Sequence, residues 1–465
     1  LEQQPSGNPA IEGLALPKTR AESRRFKPRA RLLPLVGLLF ASTCGGPYGM
    51  EDFIARVGPG LFITLLFVTP WLWGIPTAFA SAELSSRLSV EGGYYRWARA
   101  HLGEFWGLQS GVCSVLSSFL DNALYPVLFA RALVFVIPEL GAFEQWAAAS
   151  LFILALTWVN YRGIVLTGAT AVALNLFLLA PVAWIVIAGF GSARFSPFEP
   201  FHAPGSGFRA ELGATLALAL WLYSGYGEAS TVAEEIDRPR RNIPFGLLLV
   251  TPLVILTYSL PVIAGLVSVG GWESWSSGQF VAIGTELGGP ALGRWAFFGS
   301  VASQAVIFMT YVLWMSRIAW SMAEDGNLPA WFRRLHPRYG TPHRVLWGYA
   351  LVYCAMAALP FEQLLVADIW VTGAYTMILH ATLVRARSSA SLNEGGFRVP
   401  GGRVGLWLNV LLPAVTWVVF LALTFHEHAW FGIPLLLIGP VAYVAMQAKR
   451  KRAGAVAATG TEAPP

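Results

Sequence analysis

The stretch Cys44-Gly45-Gly46-Pro47-Tyr48-Gly49-Met50-Glu51-Asp52 cuts an apolar run that extends from Leu32 to about Val57. Three glycines and a proline there oppose a continuous helix. Glycine costs backbone entropy, and proline lacks the N–H that a helix interior uses. Lipid offers backbone groups no partner, so a span stops being helical only where protein shelters it or where it lines a cavity. A second apolar run, from Leu212 to about Ala233, is broken by Ser224-Gly225-Tyr226-Gly227-Glu228. Two interrupted spans at corresponding places in two halves of a chain imply a solute site near the middle of a membrane.

Outward from these breaks the chain keeps one character. Of its 465 residues, 55% are apolar and 12% charged, with long apolar runs recurring as far as Met446. That composition describes an all-α integral membrane protein and not a soluble multidomain enzyme. We expect twelve transmembrane helices, over 32–57, 60–82, 105–137, 143–160, 165–190, 212–234, 244–269, 294–322, 343–359, 362–384, 405–425 and 429–447. Each reaches or approaches the roughly 20 residues that cross a bilayer. Lys and Arg set the orientation. With a cytoplasmic N-terminus, 26 of the 32 fall on the cytoplasmic side and 4 outside, Arg131 and Arg317 lying within spans. This bias puts both termini in the cytoplasm. It also accounts for a pI near 9.3 without a nucleic-acid partner.

The interrupted spans are the first and the sixth. Five spans separate equivalent positions, and five is odd, so the second copy runs upside down relative to the first. The expected architecture is an inverted five-plus-five repeat with helices 1 and 6 broken. Repeat 1 covers 32–190 (helices 1–5), repeat 2 covers 212–385 (helices 6–10), and helices 11–12 cover 405–447. Residues 1–31 are polar and lack the apolar core of a signal peptide, so a disordered cytoplasmic tail is expected. Residues 448–465 are expected to form the C-terminal cytoplasmic tail, disordered from Ala453 onward. Cys44, Cys113 and Cys354 all fall in apolar segments and read as small buried residues. No metal, cofactor or disulfide-linked subunit is expected.

Charged side chains inside spans are costly, so each needs a reason. Asp121 stands about halfway along the third span, and its functional reading is an anion that holds a substrate amine; helix caps or a polar neighbour would satisfy it equally. Glu228, in the second break, is a candidate for pairing with a cation or carrying a coupling proton, and equally for capping the half-helix that follows. Glu51 and Asp52 open the outer half-helix of the first span. They suit its N-terminal cap, with Glu51 kept as a third proton-coupling candidate beside Asp121 and Glu228. Arg317 and Arg131 read as snorkelling or ion-paired groups near span ends. Asp368 lies near the outer end of the tenth span, at the height of a gate. The aromatics closest to the breaks are Tyr48, Trp221, Tyr223 and Tyr226, with Tyr125 on span three; such faces beside carboxylates suit an ammonium guest, or simply pack. Unwound backbone supplies N–H groups for a carboxylate and carbonyls for an ammonium. An α-amino acid uses both and a polyamine only the acceptors, so backbone chemistry leaves the two open.

Motifs in a fixed order resemble a known family. Gly58-Pro59 follows the first broken span. Next come Ala82-Glu83-Leu84 and Glu91-Gly92-Gly93-Tyr94-Tyr95. Span six leads into Ala233-Glu234-Glu235-Ile236-Asp237-Arg238-Pro239-Arg240-Arg241-Asn242-Ile243-Pro244. Span eight ends in Ser316-Arg317 and Met322-Ala323-Glu324-Asp325-Gly326-Asn327-Leu328-Pro329. Over about 31–447 the chain resembles the amino acid–polyamine–organocation superfamily of secondary transporters. Gly45-Gly46-Pro47-Tyr48-Gly49-Met50-Glu51-Asp52 and Asp121-Asn122-Ala123-Leu124-Tyr125-Pro126 look most like its polyamine-uptake branch, which has L-type-like amino-acid relatives. The resemblance implies that Gly45, Gly46, Tyr48 and Gly49 of the first break, and Tyr223, Ser224, Gly225, Tyr226 and Glu228 of the second, cradle substrate. It also implies that Trp221 is the aromatic gate residue and that Asn122 faces substrate beside Asp121. Proton-driven relatives can carry a lysine in span five, and Val165–Phe190 has none.

The implied function is a proton-coupled importer of polyamines or related amines in the cell membrane, working by alternating access. An amino acid permease or exchanger is the alternative within the family, and a nutrient sensor that binds without transporting is one of another class. Among the seven histidines only His380 is well inside a span, and no Gly-x-Ser-x-Gly, His-Glu-x-x-His or Walker-type loop occurs, which argues against an enzyme or an ATP-driven pump.

Overall fold

The fold was taken from a computed structural model, which describes residues 31–204, 207–388 and 396–459. All but the last residue of the expected N-terminal tail, and residues 460–465, lie outside the described residues. Among those described, every regular element is helical. In chain order these are α1 (Leu32–Thr43), α2 (Glu51–Val57), α3 (Pro59–Arg87), α4 (Gly93–Leu102), α5 (Glu104–Val136), α6 (Ala142–Tyr161) and α7 (Ile164–Gly191). They continue with α8 (Phe208–Leu222), a 3₁₀ segment (Glu228–Glu235), α9 (Pro239–Ser268), α10 (Gln279–Glu324), α11 (His343–Met356), α12 (Phe361–Arg387) and α13 (Gly402–Thr459). Eight of them, α3, α5, α6, α7, α9, α10, α12 and α13, are long and apolar enough to cross a membrane. The shorter α1 is equally apolar.

Several boundaries differ from the sequence reading. Helix α10 starts well before residue 294 because Gly288 and Gly289 bend it without ending it, Gly289 at φ 74°. Helix α13 runs through both expected final spans and on through 448–459, where a tail was expected. Ala, Lys and Arg are strong helix formers, and nothing in that stretch stops the ladder. Contacts along α13 nevertheless reverse direction. Asn409 meets His380 near the end of α12, the Ala422 carbonyl accepts from Arg209, and Arg450 pairs with Glu104 at the start of α5 at 2.6 Å. The Trp370 ring stacks on Phe425, and Gly432 packs against the same indole.

Large apolar side chains such as Leu151, Trp184, Ile187, Val415 and Trp430 face outward from α6, α7 and α13, as a lipid-facing surface requires. The interior lies where α1 and α5 each pack on α10, with α7 behind α10 and α12 against α5. One end of this core is held by buried ion pairs supplied by the motifs that carry the family resemblance. Arg317, 1% exposed at its side chain, pairs with Glu235 at 2.8 Å. Arg96 reaches Glu324 at 2.6 Å and Arg99 reaches Asp325 at 2.8 Å, while Asn327 donates to Tyr95. Glu83 at the end of α3 accepts from Arg387 at 2.8 and 2.5 Å and from the Val399 N–H at 2.7 Å, with Arg87 at 3.1 Å. Substituting Glu83→Ala leaves two guanidinium groups facing each other and costs about 3 kcal/mol, the scale for removing one partner of a buried pair. Thermal unfolding in detergent is expected several degrees lower; an unchanged melt would contradict this role.

Candidate functional site

The first break begins after Thr43, where Cys44 is extended, and continues through Gly46 at φ 76°, a conformation that L side chains resist. Pro47 supplies no donor and biases the residue before it away from helix. The chain re-enters helix at Glu51, whose carboxylate accepts the Gly49 N–H at 2.7 Å. The acid sits in the first turn of α2, where negative charge is favourable, and ties the turn before Met50 to the helix. Two freed carbonyls are also taken: Thr43 accepts from the Tyr258 hydroxyl at 3.1 Å, and Gly45 accepts from the Ser303 hydroxyl.

The second break follows α8. Gly225 sits at φ 89°, and a Cβ there would clash with the Ser42 carbonyl in the last turn of α1. The two breaks therefore touch backbone to backbone at this glycine. Arg56 at the end of α2 lies 3.9 Å from Glu211 in the first turn of α8, so one broken segment ends beside the start of the other. Beyond the break the chain forms the 3₁₀ segment, irregular at Val232, where a half-helix was expected.

Three groups of side chains surround the breaks. The first centres on Asp121, 2% exposed on α5. Its Oδ1 accepts from the Trp221 indole N–H at 2.5 Å, and the Tyr125 hydroxyl lies 2.9 and 3.0 Å from its two oxygens. The Tyr125 and Trp221 rings stack at 5.8 Å, and Tyr311 lies 6.1 Å from Tyr125. The second centres on Glu228, 1% exposed, which accepts from the Tyr375 hydroxyl at 3.2 Å through Oε1. Its Oε2 is buried with no partner. A cavity beside it is lined by Trp73, Tyr94, Ser224, Gly225, Thr372 and Tyr375, with Tyr94 stacked on Tyr375 at 5.3 Å. Ser224 is fixed by the Trp73 N–H at 3.1 Å. The third group borders a separate cavity lined by Tyr48, Gly49, Glu51, Arg131, Ser277 and Gln304. Arg131 lies 3.8 Å from Asp52 there.

The remaining residues singled out from sequence point elsewhere. Gly45 packs against Ser303 and Ile307 of α10, and Gly46 against Leu178. Asn122 donates to Tyr353 at 3.1 Å, among partners different from those of Asp121. Tyr223 donates to the Leu66 carbonyl at 2.7 Å, and Tyr226 lies against Gly74 with its hydroxyl buried and unpartnered. Asp368, placed by the sequence near the outer end of the tenth span, is buried on α12. Its Oδ1 accepts from Ser117 at 2.6 Å and Thr372 at 3.0 Å. An acid in an apolar run was the signal available for it, the same one that marked Asp121. Tyr375, Tyr94, Tyr311 and Trp73 carry no such signal, because only long-range packing brings them here.

The arrangement has one electrostatic property that matters. Asp121, Glu228 and Asp368 are buried, and among the described residues their bonds come from neutral hydroxyls and an indole, with no ion pair. A buried carboxylate without a counter-charge suits a mobile cation that comes and goes.

Buried carboxylates without ion pairs inside a multi-pass helical membrane protein suit a carrier, and the family and relatives that the chain matches make it a membrane transporter and not an enzyme. The chain belongs to the amino acid permease family, whose sequence profile matches residues 36–427, within the amino acid–polyamine–organocation superfamily. It is 30% identical over 412 residues to the polyamine transporter RMV1 of Arabidopsis thaliana, covering 88% of this chain and 84% of that one. It is 30% identical over 428 residues to the polyamine transporter PUT1 of Oryza sativa subsp. japonica, covering 90% and 79%. The methylthioribose transporter of Bacillus subtilis is 24% identical over 408 residues, covering 81% and 86%.

Proposed function

We propose that this protein is a secondary carrier that imports polyamines or related amine-bearing solutes by alternating access, coupled to protons. The observation that carries this reading is the Asp121 carboxylate, boxed by the Trp221 and Tyr125 rings and lacking a cation among the described residues. A carboxylate beside aromatic faces recognises an ammonium through charge and cation–π attraction together. The first break favours an amine over an α-amino acid. The Gly49 N–H, which a substrate carboxylate would seek, is already occupied by Glu51. The two plant relatives are named as polyamine transporters, in the same direction. Glu228, with a buried oxygen free of partners, is the candidate proton carrier.

The proposed architecture is twelve spans in the cell membrane, both termini cytoplasmic, with 32–190 and 212–385 as inverted repeats. The Arg56–Glu211 approach supports inversion, because it sets the end of the first broken span beside the start of the sixth. The reversal of contacts along α13 supports two final spans rather than one. Tyr48, Gly49 and Glu51 belong to the cavity that holds Arg131, and we assign it to the outer approach to the site.

In proteoliposomes holding the full chain, labelled putrescine uptake is expected to rise with an inward proton gradient and to be displaced by spermidine. Excess arginine or leucine should displace it little. Displacement chiefly by an amino acid, with polyamines inert, would replace this reading with an amino acid permease. Binding without uptake would make the protein a sensor. Glu228→Gln is expected to weaken the gradient dependence of uptake; an unaltered dependence removes Glu228 from proton coupling.

A further inference from the structure

We propose that Asp368 is a second ammonium station, and that it makes this carrier prefer amines with two positive charges over amines with one. The assignment rests on the amine reading above and adds a residue to it. Asp368 is 2% exposed on α12, and both hydroxyl bonds to it, from Ser117 and Thr372, end on Oδ1. Its Oδ2 has no hydrogen bond among the described residues. Ser117 stands one helical turn before Asp121 on α5, a rise of about 6 Å. The Ser117 hydroxyl lies 2.9 Å from that of Thr372, which lines the cavity beside Glu228. A hydrogen-bonded cluster of Ser117, Asp368 and Thr372 therefore stands between the turn of α5 that leads to Asp121 and that cavity.

Unsatisfied groups mark this space as made for a guest. Glu228 lines the cavity with an oxygen that has no partner, and the Ser81 hydroxyl beside Gly227 has none either. Asp121 and Asp368, the latter bonded to Ser117 one turn away from Asp121 on α5, repel unless a positive charge stands between or upon them. A single ammonium answers one of them. A short alkane diamine carries two ammonium groups across a comparable length and answers both. Its methylene chain would run past the faces of Tyr311 and Tyr125, which offer apolar surface without further charge.

The test compares two ligands on the purified full chain in detergent by isothermal titration calorimetry. They are 1,4-diaminobutane and 1-aminobutane, which differ by one charge at nearly equal length. The wild type is expected to bind the diamine at least tenfold more tightly. Asp368→Asn keeps an oxygen acceptor for Ser117 and Thr372 but loses the charge. It is expected to weaken the diamine about 30-fold or more, the scale of one partner lost from a desolvated charge pair, and to change the monoamine less than threefold. Equal losses for both ligands, or no loss, would overturn the assignment. Should that variant fail to fold, Asp368→Glu moves the charge by one methylene. The diamine chain length that binds best is then expected to change, and an unchanged optimum overturns the assignment as well. A wild type that binds neither amine sinks the amine reading itself, whereas a wild type that binds both equally sinks only the role of Asp368.

Discussion

Asp121→Asn is expected to lower putrescine uptake about 100-fold at low substrate concentration while the protein keeps its melting temperature within a few degrees. The amide has the shape of the carboxylate, and its oxygen can still accept from the Trp221 indole and the Tyr125 hydroxyl, now 2.5 and 2.9 Å from Oδ1. What disappears is the charge that faces an ammonium in a dry site. Removing one partner of a buried ion pair costs about 3–5 kcal/mol. Cation–π attraction to the neighbouring rings is present in both proteins and cancels from the difference. The lower end of that cost, about 3 kcal/mol, is two orders of magnitude in binding. Initial-rate uptake of labelled putrescine in proteoliposomes reads it directly. Rates within threefold of the wild type would mean that the ammonium is held elsewhere. The companion change Trp221→Phe keeps a ring face but removes the N–H that orients the carboxylate, and should cost about tenfold, the weight of one hydrogen bond to a charged group.

The second large effect separates two glycines of the same break. Gly225→Ala is expected to abolish transport, and Gly227→Ala to leave at least a third of it. At Gly225 the backbone is at φ 89°, and an added methyl would drive into the Ser42 carbonyl of α1 and come within 3.1 Å of the Tyr311 hydroxyl. Backbone cannot retreat as a flexible side chain can. Left-handed strain of about 1–3 kcal/mol therefore adds to overpacking of similar size. Relaxation separates α1 from the second break and so undoes their close approach. At Gly227 the backbone is at φ −80°, within ordinary helical range, and the nearest atoms to a new methyl stand at 3.5 Å or more. Paired uptake and thermal-melt measurements on both variants decide the matter. Similar activities in the two would mean that the breaks do not depend on that close approach.

The class of this protein was legible because its signals are local. A span is recognised by some twenty consecutive apolar residues, and a break by Gly45, Gly46 and Pro47 or by Gly225 and Gly227. Neither needs knowledge of what touches what. Asp121 stood out because an acid in an apolar run is costly wherever the run packs. Glu51 was read as a cap from its position alone; it opens α2 and holds the Gly49 N–H just before the helix, without capping the helix itself. Where the reading differed, packing had intervened. Helix α10 runs past its expected start because Gly289 bends the chain without releasing it, and the second break leads into a 3₁₀ segment rather than a half-helix.

The chain's letters alone settled that it is a helical membrane protein of this transporter family. Tertiary structure alone decided which acids share its interior. Asp368 meets Ser117 across 251 positions of sequence, and Tyr375 reaches Glu228 across 147. The reason is physical: hydropathy and backbone preference act between neighbours along the chain, whereas a hydrogen bond between helices exists only once their crossing and rotation are fixed, and those are set by the packing of every side chain between them.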